Sequence, residues 1–234
     1  QDMLTHPASP RQIERRNSTD TMPELPEVEA QRCTLESFMV GRRITSVVAL
    51  EQGGGPRDGQ FDDKVCAEGL AADDVVGSLK NRWVLGVRRK GKQLWVELSD
   101  TRSGACTACL LLHFGMTGAC IIRGHDVPVY KSFSVDTSSW PPRFTKLELE
   151  LRDTKGQCCA LAYTDPRRFG RILFRGADAL SHPPLSSLAP DPLTAAPPLT
   201  AEETCAKLRG VATPIKAVLL DQSRLVCGVG NWVA

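Results

Sequence analysis

Between Val75 and Phe174 the chain is broken into short apolar runs separated by turn residues, and that spacing restricts what it can fold into. Trp83 to Arg88, Gln93 to Leu98, Cys109 to His113, Gly118 to Arg123, Leu147 to Leu151 and Gly170 to Phe174 are too short for stable helices and well sized for strands. Strands at such regular spacing, with turn signals between them, predict an antiparallel β-sandwich. Ile44 to Leu50, rich in β-branched residues, adds another strand ahead of the series. Before it, Pro26 to Val40 carries Val28, Leu35, Phe38 and Met39 on one helical face and is ended by Gly41. Gln52 to Gly59 is glycine-rich and reads as a loop insertion.

After the strands the pattern changes. Ala177 to Thr200 is rich in Pro, Ser and Ala and reads as a linker. Thr200 then caps a helix that runs through Glu202 and Glu203 to Leu208, and Pro214 to Asp221 fits a second helix. Gly228 and Gly230 make a tight turn into another helix that has only begun at Ala234, so the helical part is expected to be truncated. The expected class is α+β: a disordered extension over 1–21, a β-sandwich domain with flanking helices over 22–176, a linker over 177–199 and an incomplete helical domain over 200–234. Residues 1–21 balance arginines against acidic residues, which argues against a transit peptide.

Composition narrows the partners only a little. A net charge of +2 over 234 residues identifies no nucleic-acid partner by itself; the local clusters Arg88-Arg89-Lys90-Gly91-Lys92 and Arg167-Arg168 say more. No apolar run approaches the ~20 residues of a membrane span. The nine cysteines are odd in number and scattered behind no secretory signal, as expected of free thiols in a reducing compartment. Cys106 and Cys109 form a Cys-x-x-Cys pair, but Cys120, Cys158 and Cys159 supply no second pair at a structural zinc spacing.

Pro23 to Glu29, the run Pro-Glu-Leu-Pro-Glu-Val-Glu behind Met22, supports two readings. Pro26 suits the first turn of a helix, and Glu27 and Glu29 suit its positive end. If Met22 starts translation and is removed, Pro23 instead presents a secondary amine. Such an amine, with an ordinary pKa near ~8, is partly neutral at physiological pH. It can attack a sugar carbon and form a Schiff base, with Glu24 moving the protons. Spacing alone favours the helix start.

Five stretches occur together in one order: Met22 to Glu29, the basic run ending in Lys92, His113-Phe-Gly-Met-Thr-Gly118, Asp165-Pro-Arg-Arg-Phe-Gly170, and Ile215-Lys216 through Gly228-Val-Gly-Asn-Trp232. Together they resemble the formamidopyrimidine-DNA glycosylase family, which includes endonuclease VIII. Lys90 to Trp95 and Trp140 to Lys146 are most similar to its plant-type members. The resemblance implies a helix–two-turn–helix domain at the C-terminal end. It also implies a base-excision repair enzyme that removes oxidised purines, such as 8-oxoguanine and formamidopyrimidines, and then nicks the strand by β- and δ-elimination. Pro23 would be the nucleophile, Glu24 the proton carrier, and Lys92 a proton-transfer residue beside the lesion phosphates, or else a generic phosphate contact.

A base flipped out of the duplex leaves a void, which the resemblance assigns to Met116, Arg167 and Phe169. Met116 and Phe169 could otherwise be core residues, but flanking glycines and the Asp165-Pro166 turn favour loop tips. His113 matches a histidine near the DNA backbone, with a structural role as the rival. Lys216, Asn231 and the turn amides would hold phosphates, Asn231 as a helix cap being the alternative. Phe144 and Ala212 stand where bacterial members have basic residues. The family's zinc or zincless finger would follow Ala234, so no cofactor or metal site is implied. The expected partner of this monomer is double-stranded DNA with oxidised bases or abasic sites, in the nucleus or an organelle. Two other readings stay open: an endonuclease VIII-like preference for oxidised pyrimidines, and a non-catalytic damaged-DNA-binding fragment.

Overall fold

The computed structural model describes residues 23–127 and 135–234. The extension expected over 1–21 lies outside the described residues. Helix α1 spans Leu25–Met39 and buries Leu25, Val28, Gln31, Leu35 and Met39, whose three- and four-residue spacing lays them along one face. Its start is fixed by Pro26 in the first turn and by the Glu27 carboxylate, which accepts the Glu24 N–H at 3.1 Å. Buried Gln31 accepts the Cys120 N–H at 2.9 Å and so ties the helix to the sheet.

The strands are β1 (Arg43–Val48), β2 (Trp83–Lys90), β3 (Gln93–Ser99), β4 (Ala108–His113), β5 (Ala119–Ile122), β6 (Thr145–Arg152), β7 (Cys158–Thr164) and β8 (Arg171–Gly176). They form one eight-stranded sheet in the order β5-β7-β6-β1-β2-β3-β4-β8, antiparallel at every pairing. The sequence predicts a sandwich; hydrogen bonding instead runs continuously through both halves. They are joined at β1–β2 by one register pair, Arg43 with Trp83. Both halves feed one core: Leu94, Val96, Leu98, Leu110 and Leu112 from one side, Leu147, Leu149, Leu151, Leu161 and Tyr163 from the other, with Val28, Leu35 and Met39 of α1.

Two elements escape the sequence reading. Strand β7 is Cys-Cys-Ala-Leu-Ala-Tyr-Thr, poor in the β-branched residues that mark strands, and its place between β5 and β6 makes it one. Helix α2 (Ala72–Leu79) is short and buries only Val75 and Leu79. The predicted linker is also more structured than its composition suggests. Single 3-10 turns at Ala179–Ser181 and Leu185–Ser187 place Ala179 and Leu185 in a second cluster with Trp95, Cys109, Leu111 and Leu173. The run Cys109 to Leu112 is apolar throughout because β4 is covered on both faces, by the core and by this segment.

Helices α3 (Ala201–Leu208) and α4 (Ile215–Leu220) follow. Thr200 caps α3 by accepting the Glu203 N–H at 3.1 Å, as its sequence predicts. Among the described residues no helix is long and apolar enough to cross a membrane.

Candidate active site

The two ends of the described chain meet at Glu24. Its carboxylate is 3% exposed and accepts hydrogen bonds from the backbone N–H groups of Gly230 at 3.1 Å, Trp232 at 2.6 Å and Val233 at 3.2 Å. The Leu25 N–H donates to the Gly228 carbonyl at 3.2 Å. Both glycines are there for closeness. A Cβ on Gly230 would lie 2.2 Å from the Glu24 Cδ, and one on Gly228, whose φ is +94°, would lie 2.5 Å from Leu25 Cδ1. Pro23 is buried next to this anchor.

Lys92 enters from the β2–β3 hairpin. The hairpin is locked by Arg89, whose side chain is 1% exposed and bonds the Glu29 carboxylate at 2.7 Å, the Gly91 carbonyl at 2.9 Å and Asp191. Asp191 also accepts the Gly91 N–H at 2.6 Å. Burial pulls the Lys92 amine below its ordinary pKa, and the nearby charges of Glu24 and Glu27 oppose that pull. Lys92 is therefore a desolvated amine within electrostatic reach of the carboxylate next to Pro23.

His113, at the end of β4, is in register with Gln93 on one side and Arg171 on the other. Burial first, then the positive charges of Lys92 and Arg171, hold its pKa down at about 4. Its Nδ1 accepts the Gly115 N–H at 3.2 Å, so the neutral ring carries its proton on Nε2 and can donate from there.

Beyond His113 two loops, Phe114–Gly118 and Asp165–Gly170, are packed backbone to backbone. Gly115 has φ +57°, and a Cβ there would sit 2.4 Å from the carbonyl carbon of Phe169. Buried Asp165 joins the loops, accepting from Thr117 Oγ1 at 2.9 Å and from the Gly170 N–H at 2.7 Å. At their tips Met116 is half-buried and Arg167 exposed, while Phe169 is 44% exposed with the Arg167 guanidinium 5.1 Å from its ring centroid. Met116 and Phe169 lie on these loops and belong to none of the apolar clusters.

Lys216 and Asn231 also come together: the exposed lysine donates to the Asn231 carbonyl at 3.3 Å. One expectation changes. The turn amides of Gly230, Trp232 and Val233, expected to hold a phosphate, are engaged by Glu24 instead. The anion that this turn selects is the protein's own carboxylate. Cys106 and Cys109 lie with their Sγ atoms 3.7 Å apart, and no group of three metal-ligating side chains exists among the described residues.

The sequence reading passes over Asp191 and Arg171, and takes Arg89 only as one member of a basic cluster. Arg89 was legible: Val87 is buried, Arg88 exposed and Arg89 buried, so strand alternation alone turns Arg89 inward. Asp191 has a local partner in the Leu193 N–H at 2.9 Å, but nothing local announces its contacts with Arg89 and Gly91, which lie about a hundred residues away.

Residues 22–172 match the model of the formamidopyrimidine-DNA glycosylase N-terminal domain. The chain belongs to the formamidopyrimidine-DNA glycosylase family. It is 35% identical to the formamidopyrimidine-DNA glycosylase of Arabidopsis thaliana, over 91% of this chain and 48% of that protein. With the Ralstonia nicotianae glycosylase it shares 35% identity over 90% of this chain and 65% of the relative. The Lactococcus lactis glycosylase bound to abasic-site DNA superposes with a TM-score of 0.63 at 27% identity, covering 89% of this chain and 64% of that one. The same Lactococcus enzyme has been solved with DNA carrying an oxidised pyrimidine, and that complex gives a TM-score of 0.64 at 27% identity, over 90% of this chain and 65% of that one. The chain thus spans about half the length of the Arabidopsis glycosylase and about two thirds of its bacterial relatives.

Proposed function

We propose that this chain is the lesion-processing part of a bifunctional DNA glycosylase and abasic-site lyase acting on oxidised purines. One observation carries the reading: the residue after Pro23 is gripped by backbone amides from more than two hundred positions away. A plain helix start needs no such grip. A proton carrier held against a nucleophile does.

In this mechanism the free Pro23 amine attacks C1′ of a flipped nucleotide, and the bond to the damaged base breaks with its electrons leaving on the base. Glu24 protonates the ring oxygen as the sugar opens to an imine. The imine acidifies C2′; loss of that proton expels the 3′ phosphate, and δ-elimination then removes the 5′ phosphate. Lys92, desolvated and near Glu24, is placed to take or return protons. Met116, Arg167 and Phe169 fill the vacated stack, and His113, Lys216 and Asn231 contact the backbone. Helix α4 and the turn after it are the beginning of the helix–two-turn–helix. Oxidised pyrimidines are the second substrate class, which the Lactococcus complex with such DNA favours.

Base release and strand cleavage test the roles separately. With the chain starting at Pro23, Pro23→Gly keeps a terminal amine and should retain partial activity. Glu24→Gln should lose excision of 8-oxoguanine far more than cleavage at a preformed abasic site. Equal loss of both steps in Glu24→Gln would contradict the assignment.

A further inference from the structure

The glycine-rich insertion after β1, which has no role in the reading so far, leads to a buried carboxylate. Asp62 is 2% exposed and takes the Arg168 guanidinium as a fork: Nε lies 3.0 Å from Oδ1 and 2.8 Å from Oδ2, and Nη2 lies 2.8 Å from Oδ1. From the other side the buried Lys146 amine reaches Asp62 at 3.0 Å and also bonds Glu51. Burial raises the Asp62 pKa, but Arg168 and Lys146 outweigh it and hold it down at about 2, so the carboxylate stays charged. Asp62 and Glu51 balance Lys146 and Arg168, with the exposed Asp63 a further 3.8 Å from Arg168 Nη2, and Arg168 alone of these comes from the Asp165–Gly170 loop.

Arg168 sits between Arg167 and Phe169, two of the three void-filling residues, and has φ +58°, a conformation that residues other than glycine rarely adopt. With its own side chain drawn down to Asp62, its neighbours Arg167 and Phe169 are both left exposed at the tip. The same segment is fastened beside the loop's exit. Ile172 donates its N–H to the Val65 carbonyl at 2.8 Å, and the Lys64 amine lies 5.4 Å from the Phe169 ring centroid. An ion pair serving stability alone has no need to bind the one residue between Arg167 and Phe169.

We infer that Asp62 is a positioning residue for lesion recognition: by fixing Arg168 it presents Arg167 and Phe169 to the void left by the flipped nucleotide. This rests on the repair function proposed above.

The test uses the chain starting at Pro23, unsubstituted and as Asp62→Asn and Arg168→Asn. Asparagine tolerates the left-handed conformation, so Arg168→Asn removes the fork without asking the backbone to move. It also leaves Asp62 paired with Lys146, and decides the matter if Asp62→Asn fails to fold. Binding to a duplex with a tetrahydrofuran abasic analogue is compared with binding to the same duplex undamaged. Borohydride trapping on a single-stranded abasic oligonucleotide, which has no stack to fill, reports the amine chemistry alone.

Loss of the damaged-over-undamaged preference by about tenfold or more, with single-strand trapping intact, is the expected result. An unchanged preference in Arg168→Asn would overturn the inference. So would a loss of single-strand trapping as large as the loss on duplex. If the unsubstituted chain neither traps nor prefers the lesion, the underlying function fails and the inference falls with it.

Discussion

Glu24 is held by three amides and by one close steric approach. Gly230 lets the turn approach until a Cβ would sit 2.2 Å from the Glu24 Cδ, so Gly230→Ala must push either the turn or the carboxylate aside. A misplacement near 1 Å at a reacting group is expected to lower excision about a hundredfold, with substrate binding nearly kept; single-turnover kinetics on an 8-oxoguanine duplex would measure it. His113 makes a pH prediction. Its folded pKa of about 4 lies below the ordinary 6.5, so between those values the unfolded chain binds the extra proton. Stability is therefore lost as pH falls through that window. Asp62, held at about 2 against 3.8, adds a further loss below that value. The urea midpoint should fall from about pH 7 to pH 5, and His113→Asn should flatten that slope. The Asn231 neighbourhood was legible in the sequence as an anion site, but nothing local says that the anion is Glu24.

Among the elements, the strands and α1 were largely legible because their apolar residues repeat with the period of the structure. What the sequence left out follows from contacts between distant segments. Strand β7 is recognisable only once β5 and β6 flank it. The segment after β8 reads as a linker by composition, yet Leu185 is fully buried against β3 and β4, and its carbonyl accepts the Lys90 amine at 3.0 Å. Asp191 from the same segment closes the Arg89 network behind Lys92. Leu185→Ala should thus destabilise the fold by about 2–5 kcal/mol. Urea denaturation would show it; an unchanged midpoint would return the segment to the status of a free linker.

In the molecule as a whole, an antiparallel sheet supplies two loop tips and a hairpin lysine. The α1 start supplies Pro23 and Glu24, and the turn beyond α4 fixes them. The family was legible because its motifs keep their order along the chain; the activity proposed for it turns on one peptide bond. A proline nitrogen inside a chain is an amide and no nucleophile, so the chemistry needs a chain that starts at Pro23. Borohydride reduction on an 8-oxoguanine duplex measures this directly, run once with the chain starting at Pro23 and once with residues 1–22 attached. The account predicts a covalent protein–DNA adduct that survives denaturing electrophoresis in the first case and none in the second. No adduct from the chain starting at Pro23 while it still binds the damaged duplex, or equal adducts from both forms, would contradict it.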